Sequence, residues 1–133
     1  MSWKTTRLVE FQHCDPAGIV FYPRYFEMIN SVIEEYFRTH LGYSFAPMHF
    51  RDRRGVPTVK TRVEFHAPSH LEDTLEFTLS LIRLGHSSVT LKLGASCCGK
   101  PRLSVETTLV RINLDTKKSD PWPTDLAEKI RHT

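Results

Sequence analysis

From Val59 to Leu109 the chain alternates apolar and polar residues in four separate runs. Val59, Thr61, Val63 and Phe65 alternate with Lys60, Arg62 and Glu64. Leu75, Phe77, Leu79 and Leu81 alternate with Glu76, Thr78 and Ser80. Val89, Leu91, Leu93 and Ala95 alternate with Thr90, Lys92 and Gly94, and Leu103, Val105, Thr107 and Leu109 with Ser104, Glu106 and Thr108. Successive side chains of a strand point to opposite faces, so each run predicts a strand with two unlike faces. Turn residues separate the runs at Pro68 to Asp73, Gly85-His86 and Gly99-Lys100-Pro101. Connections this short favour antiparallel neighbours, because a parallel pair needs a long crossover. The period slips at Val110, since Leu109, Val110 and Ile112 cannot share a face, which predicts a bulge there.

One helix precedes these strands. Pro23 suits a first helical position. Tyr25, Met28, Ile29, Val32, Ile33, Tyr36, Phe37 and Leu41 then fall at helical spacing, and Gly42 stands where a C-terminal cap would. The apolar stripe is broad enough to predict packing against a sheet. Thr5 to Phe11 alternates and predicts a short first strand. Tyr43 to Gly55 has no clear period and reads as an irregular connection. Thr124 opens a short terminal helix holding Leu126, Ala127 and Ile130. One long helix with an antiparallel sheet predicts a two-layer α+β domain spanning residues 1–133.

Composition narrows the function. The net charge of +3 is mild and scattered. It suits an anionic small molecule better than nucleic acid. The three cysteines are odd in number, with two adjacent and no CxxC, so a reducing compartment is expected. No apolar stretch approaches the ~20 residues of a membrane span, and the first residues carry no apolar signal core. The expectation is a cytoplasmic protein without a membrane partner. His66 and His70 are four apart, but on a strand end and a proline-containing turn, so no metal is expected.

The chemistry concentrates between Asp15 and Tyr22, Asp-Pro-Ala-Gly-Ile-Val-Phe-Tyr. A carboxylate here stands a few residues before a helix N-terminus, whose unpaired N–H groups and dipole can hold a carbonyl oxygen or oxyanion. Such a carboxylate can attack that carbonyl or activate water. Gly18 permits close backbone approach, and Ile19, Val20 and Phe21 can exclude water. Asp-Pro-x-Gly is equally a common turn, and an Asp before a helix is often a cap. The residues alone leave both readings open.

The run Phe11-Gln12-His13-Cys14-Asp15-Pro16-Ala17-Gly18-Ile19-Val20-Phe21-Tyr22-Pro23-Arg24-Tyr25 resembles the signature of the 4-hydroxybenzoyl-CoA thioesterase family. That family includes the acyl-CoA thioesterases associated with the Tol-Pal system. The resemblance implies a hot-dog fold, in which an antiparallel sheet wraps a long central helix. It implies an acyl-CoA substrate, no cofactor, and a homodimer or homotetramer with substrate near the subunit interface. It assigns the catalytic carboxylate to Asp15, the oxyanion contact to the backbone N–H of Tyr22, and loop-shaping roles to Pro16, Gly18 and Val20.

This chain also departs from the family. His13 stands where the 4-hydroxybenzoyl enzymes have an acidic residue, and Pro23 where many Tol-Pal members have a His. The turn Arg83-Leu84-Gly85-His86 is less basic than its counterpart, leaving Arg83 and His86 as candidate CoA phosphate contacts. His13, two residues before Asp15, would share its face in an extended segment, to tune the carboxylate or to stand at the rim. A hot-dog protein that binds acyl-CoA without turnover is the alternative.

Overall fold

The computed structural model describes residues 2–133. Its elements run β1 (Trp3–Leu8), α1 (Pro23–Glu35), β2 (Arg54–Gly55), β3 (Thr58–Phe65), β4 (Thr74–Leu84), β5 (Ser88–Cys97), β6 (Lys100–Val110), β7 (Ile112–Asn113) and α2 (Thr124–Arg131). Five strands form one sheet in the order β1-β4-β5-β6-β3, and every neighbouring pair is antiparallel. The remaining two, β2 and β7, pair in a small separate ribbon.

The period-two faces hold in the three central strands. Leu75, Phe77, Leu79, Val89, Leu91, Leu93, Ala95, Leu103, Val105 and Leu109 are all buried. From α1, Tyr25, Met28, Ile29, Val32 and Ile33 join the same core. Burying one such large side chain contributes about 1.5–3 kcal/mol, so sheet and helix are held by a shared apolar layer. The sheet wraps the long helix, which is the hot-dog arrangement.

Three local readings are corrected, and the long helix keeps its expected extent but changes character before its end. The first strand ends at Leu8, and Phe11–His13 form a tight 3-10 turn instead of a strand end. There the N–H of Glu10 donates to Nδ1 of His13 at 2.8 Å, and the N–H of His13 to the Glu10 carbonyl at 2.9 Å. The regular helix stops at Glu35. Tyr36–His40 continue as a wider turn, with the N–H of Leu41 reaching the Tyr36 carbonyl at 3.1 Å. Thr39 Oγ1 donates to the Glu35 carbonyl at 2.9 Å, competing with the regular ladder. The wider turn still buries Tyr36, Phe37 and Leu41 together. Gly42 then terminates it at φ +67°, as its place in the sequence requires.

The slip at Val110 is a strand end. Arg111 leaves the sheet, and Ile112 joins the ribbon with β2. The irregularities in the main sheet fall instead between Thr58 and Lys60, Leu81 and Arg83, and Ala95 and Ser96. Finally, β3 has no buried face. It is an edge strand, with Val59 and Phe65 exposed and Val63 half-buried.

Candidate active site

The Asp15 loop is a miniature hairpin built by its own backbone. Cys14 and Val20 form an antiparallel bridge. The N–H of Asp15 donates to the Ile19 carbonyl at 2.9 Å, and the N–H of Gly18 to the Asp15 carbonyl at 3.0 Å. Gly18 turns the chain at φ +81°, where a side chain would be strained. The N–H of Phe21 closes the hairpin onto the His13 carbonyl at 2.9 Å. Val20 is buried in the core and anchors the loop, whereas Pro16, Ala17 and Gly18 are exposed.

A second segment braces it from behind. The N–H of Val20 donates to the Ser69 carbonyl at 2.9 Å, and Ile19 bridges His70. Asp73 holds that segment by accepting from the N–H of His70 at 2.9 Å and from Arg102 Nη1 at 2.8 Å. Those two donors keep the Asp73 carboxyl below the ordinary carboxylate range. Arg102 Nη1 also reaches the Pro68 carbonyl at 3.0 Å. None of these brace residues carries a sequence signal, since the pairing joins segments about fifty positions apart.

Asp15 itself is half-buried. Its Oδ1 accepts the N–H of Ala17 at 2.9 Å, which is a turn-closing bond. Among the described residues no protein donor meets the other oxygen. The start of α1 supplies the complementary group. Pro23 has no N–H, Arg24 donates to the Phe21 carbonyl at 2.8 Å, and Tyr25 to that of Tyr22 at 3.1 Å. The N–H of Tyr22 is then the donor left without a protein acceptor among the described residues. Carboxylate and donor sit at the two ends of one short loop.

The mouth of this loop is aromatic. Phe21, Tyr22 and Phe65 are each about half exposed. Phe21 and Tyr22 meet edge to face at 5.6 Å between ring centroids, and Tyr22 and Phe65 at 6.3 Å. Phe65 also packs on Tyr25 at 5.7 Å, tying the loop to the free edge of β3. Phe65 was visible in the sequence only as a strand residue, because its approach to Tyr22 depends on how β3 meets the helix.

The other candidates separate from this centre. His13 turns its Nδ1 to the Glu10 backbone instead of extending alongside Asp15. Arg83 lies near the end of β4, and exposed His86 in the turn beyond it. The Asp15 loop adjoins the opposite end of β4, where the N–H of Val9 meets the Asp73 carbonyl. Ten residues of strand, about 33 Å at ~3.3 Å each, divide the two places within one protomer. Within one protomer the structure does not bring Arg83 and His86 to Asp15. No described helix is long and apolar enough to cross a membrane.

Residues 9–130 match the family described as the thioesterase-like superfamily. No curated protein sequence matches the chain. Among solved structures, a 1,4-dihydroxy-2-naphthoyl-CoA thioesterase from Synechocystis is similar at TM-score 0.89 and 20% identity, over 98% of this chain and 96% of that one. A hypothetical protein from Staphylococcus aureus in complex with CoA is similar at TM-score 0.91 and 19% identity, over 99% and 83%. A gentisyl-coenzyme A thioesterase is similar at TM-score 0.86 and 25% identity, over 96% and 99%.

Proposed function

The chain belongs to the thioesterase-like superfamily, and on that premise we propose that it is an acyl-CoA thioesterase with Asp15 as its catalytic carboxylate. The observation that carries this reading is the pairing of two uncommitted groups on one rigid loop. One is the second carboxylate oxygen of Asp15, and the other is the N–H of Tyr22 at the start of α1.

The thioester carbonyl oxygen accepts the Tyr22 N–H, and the positive end of α1 stabilises the negative charge that develops there. Asp15 then acts by one of two routes. As nucleophile it attacks the carbonyl carbon, expels the CoA thiolate and leaves a mixed anhydride that water hydrolyses. As general base it takes a proton from water, whose oxygen attacks instead. Both routes yield a carboxylic acid and free CoA, and neither requires a metal.

The aromatic mouth formed by Phe21, Tyr22 and Phe65 supports an aryl acyl group, the class to which the 4-hydroxybenzoyl subgroup belongs. The named naphthoyl and gentisyl relatives agree with that choice. The relative in complex with CoA supports CoA as the carrier. The free edge of β3, eight residues long with Val59, Val63 and Phe65 along it, supports a homodimer formed by pairing two such edges. That pairing brings a second subunit beside each Asp15 loop.

The test is free-thiol release from benzoyl-, 4-hydroxybenzoyl-, phenylacetyl-, butyryl- and palmitoyl-CoA. The aryl substrates should turn over fastest. Tight binding of these substrates with no thiol released would make the protein a binder instead of an enzyme.

A further inference from the structure

A cavity of about 490 Å³ opens beyond the C-terminal end of α1, between the segment that follows the helix, the end of β6 and the start of α2. Helix α1, about 20 Å long at ~1.5 Å per residue, separates it from the Asp15 loop. Four cations line it, Arg51, Arg54, Arg111 and Lys129, against two carboxylates, Asp52 and Asp125.

Much of that charge is already matched. Asp52 is held by Arg51 Nε at 2.8 Å and by the Tyr43 hydroxyl at 2.5 Å. Arg54 Nε reaches Asp120 Oδ2 at 3.0 Å. Arg111 is different. Its side chain is only 8% exposed, Nε bonds the same Asp120 oxygen at 3.2 Å, and the guanidinium also hydrogen-bonds the Tyr43 hydroxyl. Nη1 has no protein acceptor among the described residues and is shut away from the surface. A buried guanidinium with unused donors is costly unless an acceptor meets it.

The start of α2 adds donors to the same cavity. Its N-cap is Pro123, which offers no capping side chain, and Pro123, Asp125 and Leu126 line the wall. Lys129 Nζ reaches the Leu41 carbonyl at 3.3 Å, which holds its charge at the rim. Tyr43 and Leu126 supply apolar surface for the body of a ligand.

We propose that this cavity binds a small organic molecule through an oxyanion, a carboxylate or a phosphate, received by Arg111, Lys129 and the first turn of α2. The site is independent of the thioesterase reading and uses none of its residues.

The test is ¹H–¹⁵N NMR at constant ionic strength, titrating the full chain with sodium benzoate and separately with sodium phosphate. Saturable shifts should centre on Tyr43, Arg111 and the amides of Thr124 to Ala127, and the probe that saturates identifies the oxyanion. Asp125→Asn removes an opposing charge at the surface and should tighten binding about two- to fivefold, while Lys129→Gln should weaken it by a similar factor. Both variants change exposed residues and keep the fold. No saturable shift by about 50 mM, or constants unmoved in both variants, overturns the proposal. Displacement of the probe by CoA also overturns it, because the cavity would then belong to the substrate's own contacts.

Discussion

Replacing Asp15 separates a catalytic carboxylate from a turn residue, because the structural part of its role is small and countable. One side-chain bond is involved, Ala17 N–H to Oδ1 at 2.9 Å. The loop keeps its four backbone bonds, from Asp15 to Ile19, Gly18 to Asp15, Val20 to Ser69 and Phe21 to His13, whatever stands at position 15. Losing the one bond should cost about 0.5–1.5 kcal/mol, a melting shift of about 2–8 °C. Asp15→Asn retains an Oδ1 acceptor and should melt within a degree or two of wild type. Its amide is no base and a poor nucleophile, so thiol release should fall about 10²–10⁴-fold, equivalent to about 2.7–5.4 kcal/mol in the barrier. Asp15→Ala should lose activity to the same extent and some stability as well. The assay is thiol release from the best aryl-CoA, run beside thermal melts of all three proteins. An Asn variant retaining more than a tenth of wild-type activity would refute the role of the carboxylate. An Asn variant that melted many degrees lower would refute the claim that this loop is held by its backbone.

Three further outcomes are expected. A Cβ added at Gly18 meets no neighbour within 4 Å, but Gly18→Val forces a β-branched residue to φ +81°, costing about 1–2 kcal/mol and lowering activity through the displaced loop; an unchanged melt and rate would remove the conformational argument. The depressed Asp73 carboxyl contributes stability that is full above its ordinary range, about pH 4, and is lost as pH falls through its lower folded value. Acid melts of Asp73→Asn should therefore flatten below about pH 4 relative to wild type, and parallel curves would deny the brace its electrostatic part. Wild type should be at least a dimer by light scattering, and Val59→Lys combined with Thr61→Lys on β3 should shift it toward monomer; a monomeric wild type at about 100 µM would remove the edge-pairing proposal.

The pattern along the chain was enough to determine what is local. Alternation decided which residues of β4, β5 and β6 face the core, and helical spacing with Gly42 decided the run and stop of the central helix. The resemblance from Phe11 to Tyr25 pointed to the one loop where a carboxylate precedes a helix start. These are properties of adjacent residues, because a strand alternates and a helix turns at a set period wherever the apolar face is buried.

What only the tertiary structure decided is which distant groups meet. Ser69, Asp73 and Arg102 brace the Asp15 loop, and Phe65 closes its mouth, through contacts between segments far apart in the chain. The same long-range arrangement set the Asp15 loop at the end of β4 opposite Arg83 and His86. It also left Arg111 buried beside a cavity that no motif marks. Local turn chemistry, competing with the strand pattern at Glu10, took His13 out of extension. Burial periodicity records only whether a face is covered, whereas the partner that covers it is chosen by the packing of the whole chain, in which many weak contacts act together.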